Sequence, residues 1–305
     1  MILIVTHKND FTVDFVIEKL NNRQIAYYRL NCEDIDEKGY TLKFGKNEDL
    51  QINKLKDISS VWFRRTKLPE VKISSESNRL FVLNDYDVFL SNLFSIIPSD
   101  KWMSKPHDIN LAENKLYQLK KASQLGFTIP DSIITSRKED LLTFAQKHNY
   151  QIIIKPISQG RIIEDNSFEN IFTNVVRKEH FESIEKYDLT PCIFQECIEK
   201  KYEIRVTIVN GILFSAKVES QLNDKTKIDW RKEKLEFKKY ELPKNISDKC
   251  LSLLEELNLN FGAIDLIKTM RDEYVFLEIN PNGQWAWIEF DTGLPISDEI
   301  INFLQ

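Results

Sequence analysis

Phe261-Gly262-Ala263-Ile264-Asp265-Leu266 and, a few residues on, Leu277-Glu278-Ile279-Asn280-Pro281 decide how this chain is read. Each sets an acidic residue among apolar ones, the pattern of a strand with one buried and one polar face. Side chains two apart on a strand share a face, so Glu278 and Asn280 are expected side by side, with Leu277 and Ile279 turned to the buried face. Two carboxylates and an amide oxygen on neighbouring strands suit a hard cation such as Mg2+ that stays bridged to substrate phosphates. One such acidic residue alone is more often merely solvated; the three together favour a metal site.

Outward from this pair, helices and strands alternate along the chain. Residues 2–5 form an apolar strand, Phe15, Val16 and Leu20 give a helical pattern, and residues 25–30 return to strand, a βαβ beginning. No Gly-x-Gly-x-x-Gly follows the first strand, which disfavours a dinucleotide domain. Short strands near 41–44 and 61–64 and a long amphipathic helix over 76–96 come next. Pro98, Ser99, Pro106 and Asn110 then mark a boundary near residue 105. Asn110 with Glu113 has the form of a capping box leading into a helix with Leu116, Leu119 and Ala122, and Lys115 in its first turns. Strands over 129–134 and 151–155 flank a helix over 138–148, and a hairpin follows from Arg161 to Thr173. Strands over 193–195, 202–209 and 212–218 come after it, the last two joined by Asn210-Gly211 as a tight turn. A charged stretch runs to Tyr240, followed by a helix over 246–257, the two strands quoted first, a Pro281-Asn282-Gly283 turn and a terminal helix. The class is α/β (α+β).

Composition narrows the function. A chain of 305 residues has room for two or three units. A net charge of -5 gives no general nucleic-acid footprint. No uncharged apolar run reaches the ~20 residues a membrane span needs, so a cytoplasmic protein without a membrane or nucleic-acid partner is expected. Cys32, Cys192, Cys197 and Cys250 form no Cys-x-x-Cys pair and the four histidines are scattered, which argues against zinc and leaves the cysteines as core or surface residues.

The two opening segments resemble the metal-binding signature of ATP-grasp ligases. On that resemblance the fold is ATP-grasp with an N-terminal βαβ pre-ATP-grasp domain over 1–105, a central lobe over 106–192 and a C-terminal lobe over 193–305 that carries the Mg2+ ligands Asp265, Glu278 and Asn280. Lys115 and Lys155 resemble the two phosphate-binding lysines, and Ser158-Gln159-Gly160 the loop that covers the phosphates. A snorkelling surface lysine is the commoner explanation for either lysine alone. Phe194-Gln195-Glu196-Cys197-Ile198 is similar to the linker whose backbone holds the adenine, where side-chain identity matters little. Glu203 falls at the ribose-binding carboxylate. Arg205, on the same strand face, is suited to phosphate oxygens; the alternative is a surface Glu203–Arg205 pair. Asp229-Trp230-Arg231 resembles an Asp-aromatic-Arg element whose arginine faces the reacting phosphoryl group, unless the charged run around it is only a solvated loop.

The tail 280–289, the opening ten residues and the stretch 194–206 resemble graspetide ligases, the microviridin-like macrocyclases of RiPP biosynthesis. That resemblance implies a precursor peptide with leader and core segments as partner, and ATP and Mg2+ as cofactors. It further implies a homodimer and joining of Asp or Glu side chains to Ser or Thr hydroxyls (ω-ester) or Lys amines (ω-amide), with ester expected. The segment from Arg161 to about Tyr187 is the expected leader dock, and Trp285 and Trp287, on a strand or turn, either line the core-peptide site or pack. The rival activities are an ATP-grasp ligase that adds a free amino acid to a peptide or protein, and a non-catalytic ATP-binding module.

Overall fold

A strand buried along its whole length belongs in the middle of a sheet, and Ile2–Thr6 lies between Tyr27–Asn31 and Ser60–Phe63 in a parallel sheet. The computed structural model describes residues 1–43, 49–51, 57–158, 161–164, 167–186 and 190–305. The crossover helix Phe11–Asn22 starts at Asp10, whose carboxylate accepts from the Val13 amide. Alternation along the first strand feeds two cores. Ile2 and Ile4 pack with Val13, Val16 and Leu20, and with Ile296, Ile300 and Leu304 of the helix Ile296–Leu304. Leu3 and Val5 pack with Leu90, Leu93 and Phe94 of the helix Glu76–Ser95. That helix was expected to be amphipathic throughout, but it buries only these C-terminal positions and leaves Leu80, Phe81 and Val88 exposed.

The expected cap at Asn110 is corrected by the structure. Pro106, at a helix start where its missing N–H costs nothing, opens an earlier helix, Pro106–Ala112, with Asn110 inside it. The next helix, Lys115–Gln124, is capped by Asn114, which accepts from the Leu116 and Tyr117 amides at 3.1 Å each. Both helices pack on the C-terminal sheet, Ile109, Leu119 and Ala122 meeting Ile204, Ile264 and Phe276.

The central sheet runs Asn174–Val176, Ile152–Pro156, Cys192–Glu196, Ser132–Ile133, so the chain leaves it only after Glu196. Arg161–Glu164 and Ser167–Asn170 pair antiparallel as the expected hairpin, while Phe44, Gln159, Gly160 and Tyr187 lie outside the described residues. The C-terminal sheet is antiparallel, in the order Lys238–Lys239, Ile212–Val218, Lys200–Val209, Phe261–Thr269, Tyr274–Asn280. Asn210 and Gly211 both take positive φ, 49° and 77°, which a two-residue turn matched to strand twist requires.

One irregularity positions the site. Asp265 faces Glu278 but Leu266 faces Phe276, so Leu277 is an extra residue, a bulge. Unbroken alternation would turn Phe276 to the same side as Glu278 and Asn280. The bulge changes the phase, and Phe276 joins Ile279 in the core instead. After the strand come two helices rather than one, Ala286–Thr292 and Ile296–Leu304. Trp285 and Trp287 therefore sit at a helix start, not on a strand. Among the described residues no helix is long and apolar enough to cross a membrane.

Candidate active site

Pairing across three adjacent strands sets Arg205 opposite Asp265 and Asp265 opposite Glu278, a charged row whose side chains enter one cavity of about 520 Å³. Asn280, two positions beyond Glu278, lines it as well. Glu203 enters from the same strand as Arg205, while Lys155 comes from the strand Ile152–Pro156, Lys115 from the first turn of its helix and Arg231 from the charged run.

The charges are held by partners. Arg205 Nη1 donates to Asp265 Oδ2 at 2.6 Å, and Arg231 donates through Nε and Nη2 to the two oxygens of Asp229 at 2.8 and 2.5 Å. Lys200 Nζ donates to Glu203 Oε1 at 2.7 Å, so the surface Glu203–Arg205 pair does not form: each residue takes a partner elsewhere and both are buried. Arg231 is not adrift in a solvated loop, because its fork on Asp229 fixes it and raises its pKa further. Lys115 Nζ donates to the carbonyls of Pro156 at 2.8 Å and Ser158 at 3.4 Å.

Burial pushes the Asp265 carboxyl up to about 6 against the pull of Arg205. Burial acts on Glu278 in the same sense, but Lys155, Lys115 and Arg231 outweigh it and hold Glu278 below the ordinary value. Burial lowers Lys155 and Lys115, opposed in each by Glu278. Five cations, Arg65, Lys115, Lys155, Arg205 and Arg231, therefore share a small space with four carboxylates, Glu203, Asp229, Asp265 and Glu278, an arrangement suited to a polyanion that arrives with a hard cation to take up carboxylate charge.

The residues present fit Mg2+. Asn280 Nδ2 stands 3.3 Å from Asp265 Oδ2 and 3.3 Å from Glu278 Oε1, so one small group already reaches both carboxylates. Turning that amide would offer its oxygen to the same point. Among the described residues no cluster of three His, Cys, Asp or Glu forms an all-protein metal cage. Two carboxylates and an amide are the smaller set that suits a magnesium ion sharing its shell with phosphates and water.

Other expected residues stand apart. Ser158 is exposed beside Lys115, and Gly160 lies outside the described residues. Glu196, Cys197 and Ile198 do not line the cavity. The Glu196 amide donates to the Asp131 carbonyl at 3.0 Å and the Cys197 amide to the Gln151 carbonyl at 2.8 Å, so both N–H groups serve the strand itself. Glu196 also uses its side chain, whose Oε1 accepts from the Asp131 amide at 2.9 Å.

The sequence reading missed Arg65, Lys200 and Gln284. Gln284 and Arg65 line the cavity, Lys200 holds Glu203, and the bulge residue Leu277 turns into the cavity instead of toward the buried face. Lys200, three residues before Glu203, was legible as a local ion pair; Arg65 was legible only as a cation at the end of a strand. Trp287 reaches the cavity too, with its indole Nε1 buried and unpartnered among the described residues, whereas Trp285 is wholly core.

Comparison with known proteins gives the wider frame. No protein-family model matches the sequence. Among solved structures, the macrocyclase MdnC of Microcystis aeruginosa, bound with precursor peptide MdnA, superposes with a TM-score of 0.88 at 30% identity over 100% of this chain and 99% of that one. A RiPP-associated ATP-grasp ligase of Chryseobacterium gregarium, in complex with ADP and a leader and core peptide, superposes with a TM-score of 0.88 at 30% identity over 99% of this chain and 96% of that one. Among curated proteins, the alpha-aminoadipate–LysW ligase LysX of Sulfurisphaera tokodaii is 29% identical over 100 residues, 32% of this chain and 35% of that protein. The fold is that of an ATP-grasp ligase. The chain belongs to the RiPP-associated ATP-grasp macrocyclases.

Proposed function

We propose that the protein uses ATP to close rings in a ribosomally made precursor peptide, activating an Asp or Glu side chain as an acyl phosphate that a Ser or Thr hydroxyl, or a Lys amine, then attacks. The observation that carries this reading is full-length similarity at 30% identity to a macrocyclase bound with its precursor peptide, joined to a cavity in which five cations and four carboxylates converge. In the first step a carboxylate oxygen bonds to the γ-phosphorus and ADP leaves; in the second the hydroxyl or amine displaces phosphate and loses a proton.

Asp265, Glu278 and Asn280 would hold Mg2+, which neutralises phosphate charge. Lys115, Lys155, Arg205 and Arg231 would bind phosphate oxygens, pre-placed so that little reorganises as charge develops. Glu203 would take the ribose, Glu196, Cys197 and Ile198 the adenine, with the Cys197 amide already committed to Gln151, and Ser158 and Gly160 the phosphate lid. We assign residues 1–105 to a pre-ATP-grasp unit, place the change of lobe after Glu196, and expect a cytoplasmic homodimer, which size-exclusion chromatography with light scattering tests. The leader would dock on the segment 161–187; hairpin replacement that leaves leader affinity intact removes that assignment.

The test is incubation with ATP, Mg2+ and the peptide encoded beside the gene, read by mass spectrometry. Loss of one water per link is expected, with alkaline cleavage of the links if they are esters. Glu278→Ala should stop water loss without weakening leader binding; an active variant sinks the metal assignment. The LysX match favours a second reading, addition of a free amino acid, for which the peptide would gain mass.

A further inference from the structure

We propose that Arg65 is the specificity residue for the acidic side chain to be activated, its guanidinium receiving the core carboxylate before phosphoryl transfer. The inference rests on the ligase reading above and adds to it the group that recognises the peptide's acid.

The argument begins with charge. A core carboxylate must approach the γ-phosphate of ATP, so one anion is brought against a polyanion, and a cation not serving the nucleotide has to offset the repulsion. Four cavity cations are assigned to phosphates, and the geometry limits what else they can do. Arg205 is tied to Asp265 and Arg231 forks onto Asp229. Lys115 is bonded to the Pro156 carbonyl, and Lys155 enters the cavity from the strand Ile152–Pro156 of the central sheet.

Arg65 differs in origin and setting. It follows the strand Ser60–Phe63 of the N-terminal sheet, and among the described residues lining the cavity it is the one supplied by that part of the chain. It is exposed, whereas Arg205 is buried, so a peptide arriving from solvent can reach it. It is also held in register with the row of ligands. Arg65 Nη2 donates to the Asn282 carbonyl at 3.3 Å, Arg64 Nη1 donates to the same carbonyl at 3.4 Å, and Asn282 Nδ2 returns a bond to the Arg64 carbonyl at 2.8 Å. Asn282 lies two residues after Asn280, so this clasp ties the guanidinium to the loop that leaves the proposed metal site. Beneath it, Arg64 is fully buried beside Asp10 at 3.7 Å, which fixes the backbone from which Arg65 projects. A planar fork matches a carboxylate with two parallel hydrogen bonds, which a neutral side-chain amide cannot accept in the same way.

Two synthetic precursor peptides with one leader, encoded beside the gene, test this: one with the acidic core and one with Asn and Gln at the Asp and Glu positions. Binding is measured with Mg-ADP present, for the wild type, Arg65→Gln and Arg65→Lys, with the leader alone as control. The wild type should prefer the acidic core by about tenfold, the size of a charge-assisted hydrogen bond. Arg65→Gln should bind both peptides alike, Arg65→Lys should keep part of the preference, and all three should bind the leader equally. Undiminished preference in Arg65→Gln, no preference in the wild type, or an equal loss of leader binding would each overturn the assignment. Failure of the ligase reading is seen separately, as no water loss from the acidic peptide with wild-type protein and ATP.

Discussion

Replacing Gly283 by alanine puts one methyl where three groups already stand. A Cβ there would lie 2.6 Å from Ala263 Cβ, 2.7 Å from Arg205 Nη2 and 3.2 Å from Asn280 Cβ. Carbon atoms rest ~3.5–4.0 Å apart, so about 1 Å must be found against Ala263 alone. Ala263 cannot easily yield, because its strand pairs with Thr207 on one side and Asn280 on the other. Nor can Arg205 swing away without leaving Asp265 at 2.6 Å and the Gln284 carbonyl at 3.3 Å. Overpacking of this kind costs about 1–3 kcal/mol. At roughly 2–4 °C per kcal/mol, Tm should fall by roughly 2–12 °C. The rate of water loss should fall further than stability explains, because the methyl pushes on the arginine that braces the proposed metal ligand. Thermal unfolding and timed mass spectrometry read the two effects. Adding Ala263→Gly removes the nearest conflict but not the one with Arg205, so the double variant should recover part of the lost Tm, reduced further by up to about 1 kcal/mol for glycine in a strand, but not rate. A single variant with wild-type Tm and rate would refute the reasoning, as would a double variant that regains both.

Two further predictions concern stability away from the cavity. Asp10 is buried, accepts from the Thr6 hydroxyl at 2.9 Å and faces Arg64; burial raises its carboxyl, but these partners outweigh it and hold it below the ordinary 3.8. A carboxyl lowered on folding stabilises above its unfolded value and loses that contribution as pH falls through the folded one. Asp10→Asn should therefore flatten the loss of Tm below about pH 4, and parallel curves for variant and wild type would remove this account. Gly211, at φ 77°, should cost about 1 kcal/mol on replacement by alanine with kcat and KM unchanged; an unaltered Tm would contradict the turn assignment.

What the sequence shows depends on the range of the interaction. Residues 2–5, the Asn210-Gly211 turn and the two metal-signature strands are legible because alternation and turn chemistry are local. The convergence of Glu278 and Asn280 follows from strand period alone, but the fate of Phe276 does not, since the bulge exists only against the partner strand. Asn110 misled because Pro106 starts a helix upstream of it, leaving Asn114 as the cap. Glu203 and Arg205 share a face as expected, yet each found a stronger partner on another residue, Lys200 and Asp265. Arg65 is legible only as a cation at the end of a strand; its place in the cavity depends on a carbonyl 217 residues away.

The sheet that opens the chain has a consequence for how the protein is made. Ser60 donates to the Leu304 carbonyl across 244 residues, at the end of the helix that packs over Ile2 and Ile4. At about 5–20 residues per second, a ribosome needs roughly 12–50 s to cover that span. During that time the first strand can pair and take its crossover helix while one wall of its core is still missing. The first sheet is therefore early in sequence but late in completion, because its last hydrophobic contacts wait for residues 296–304 to be made.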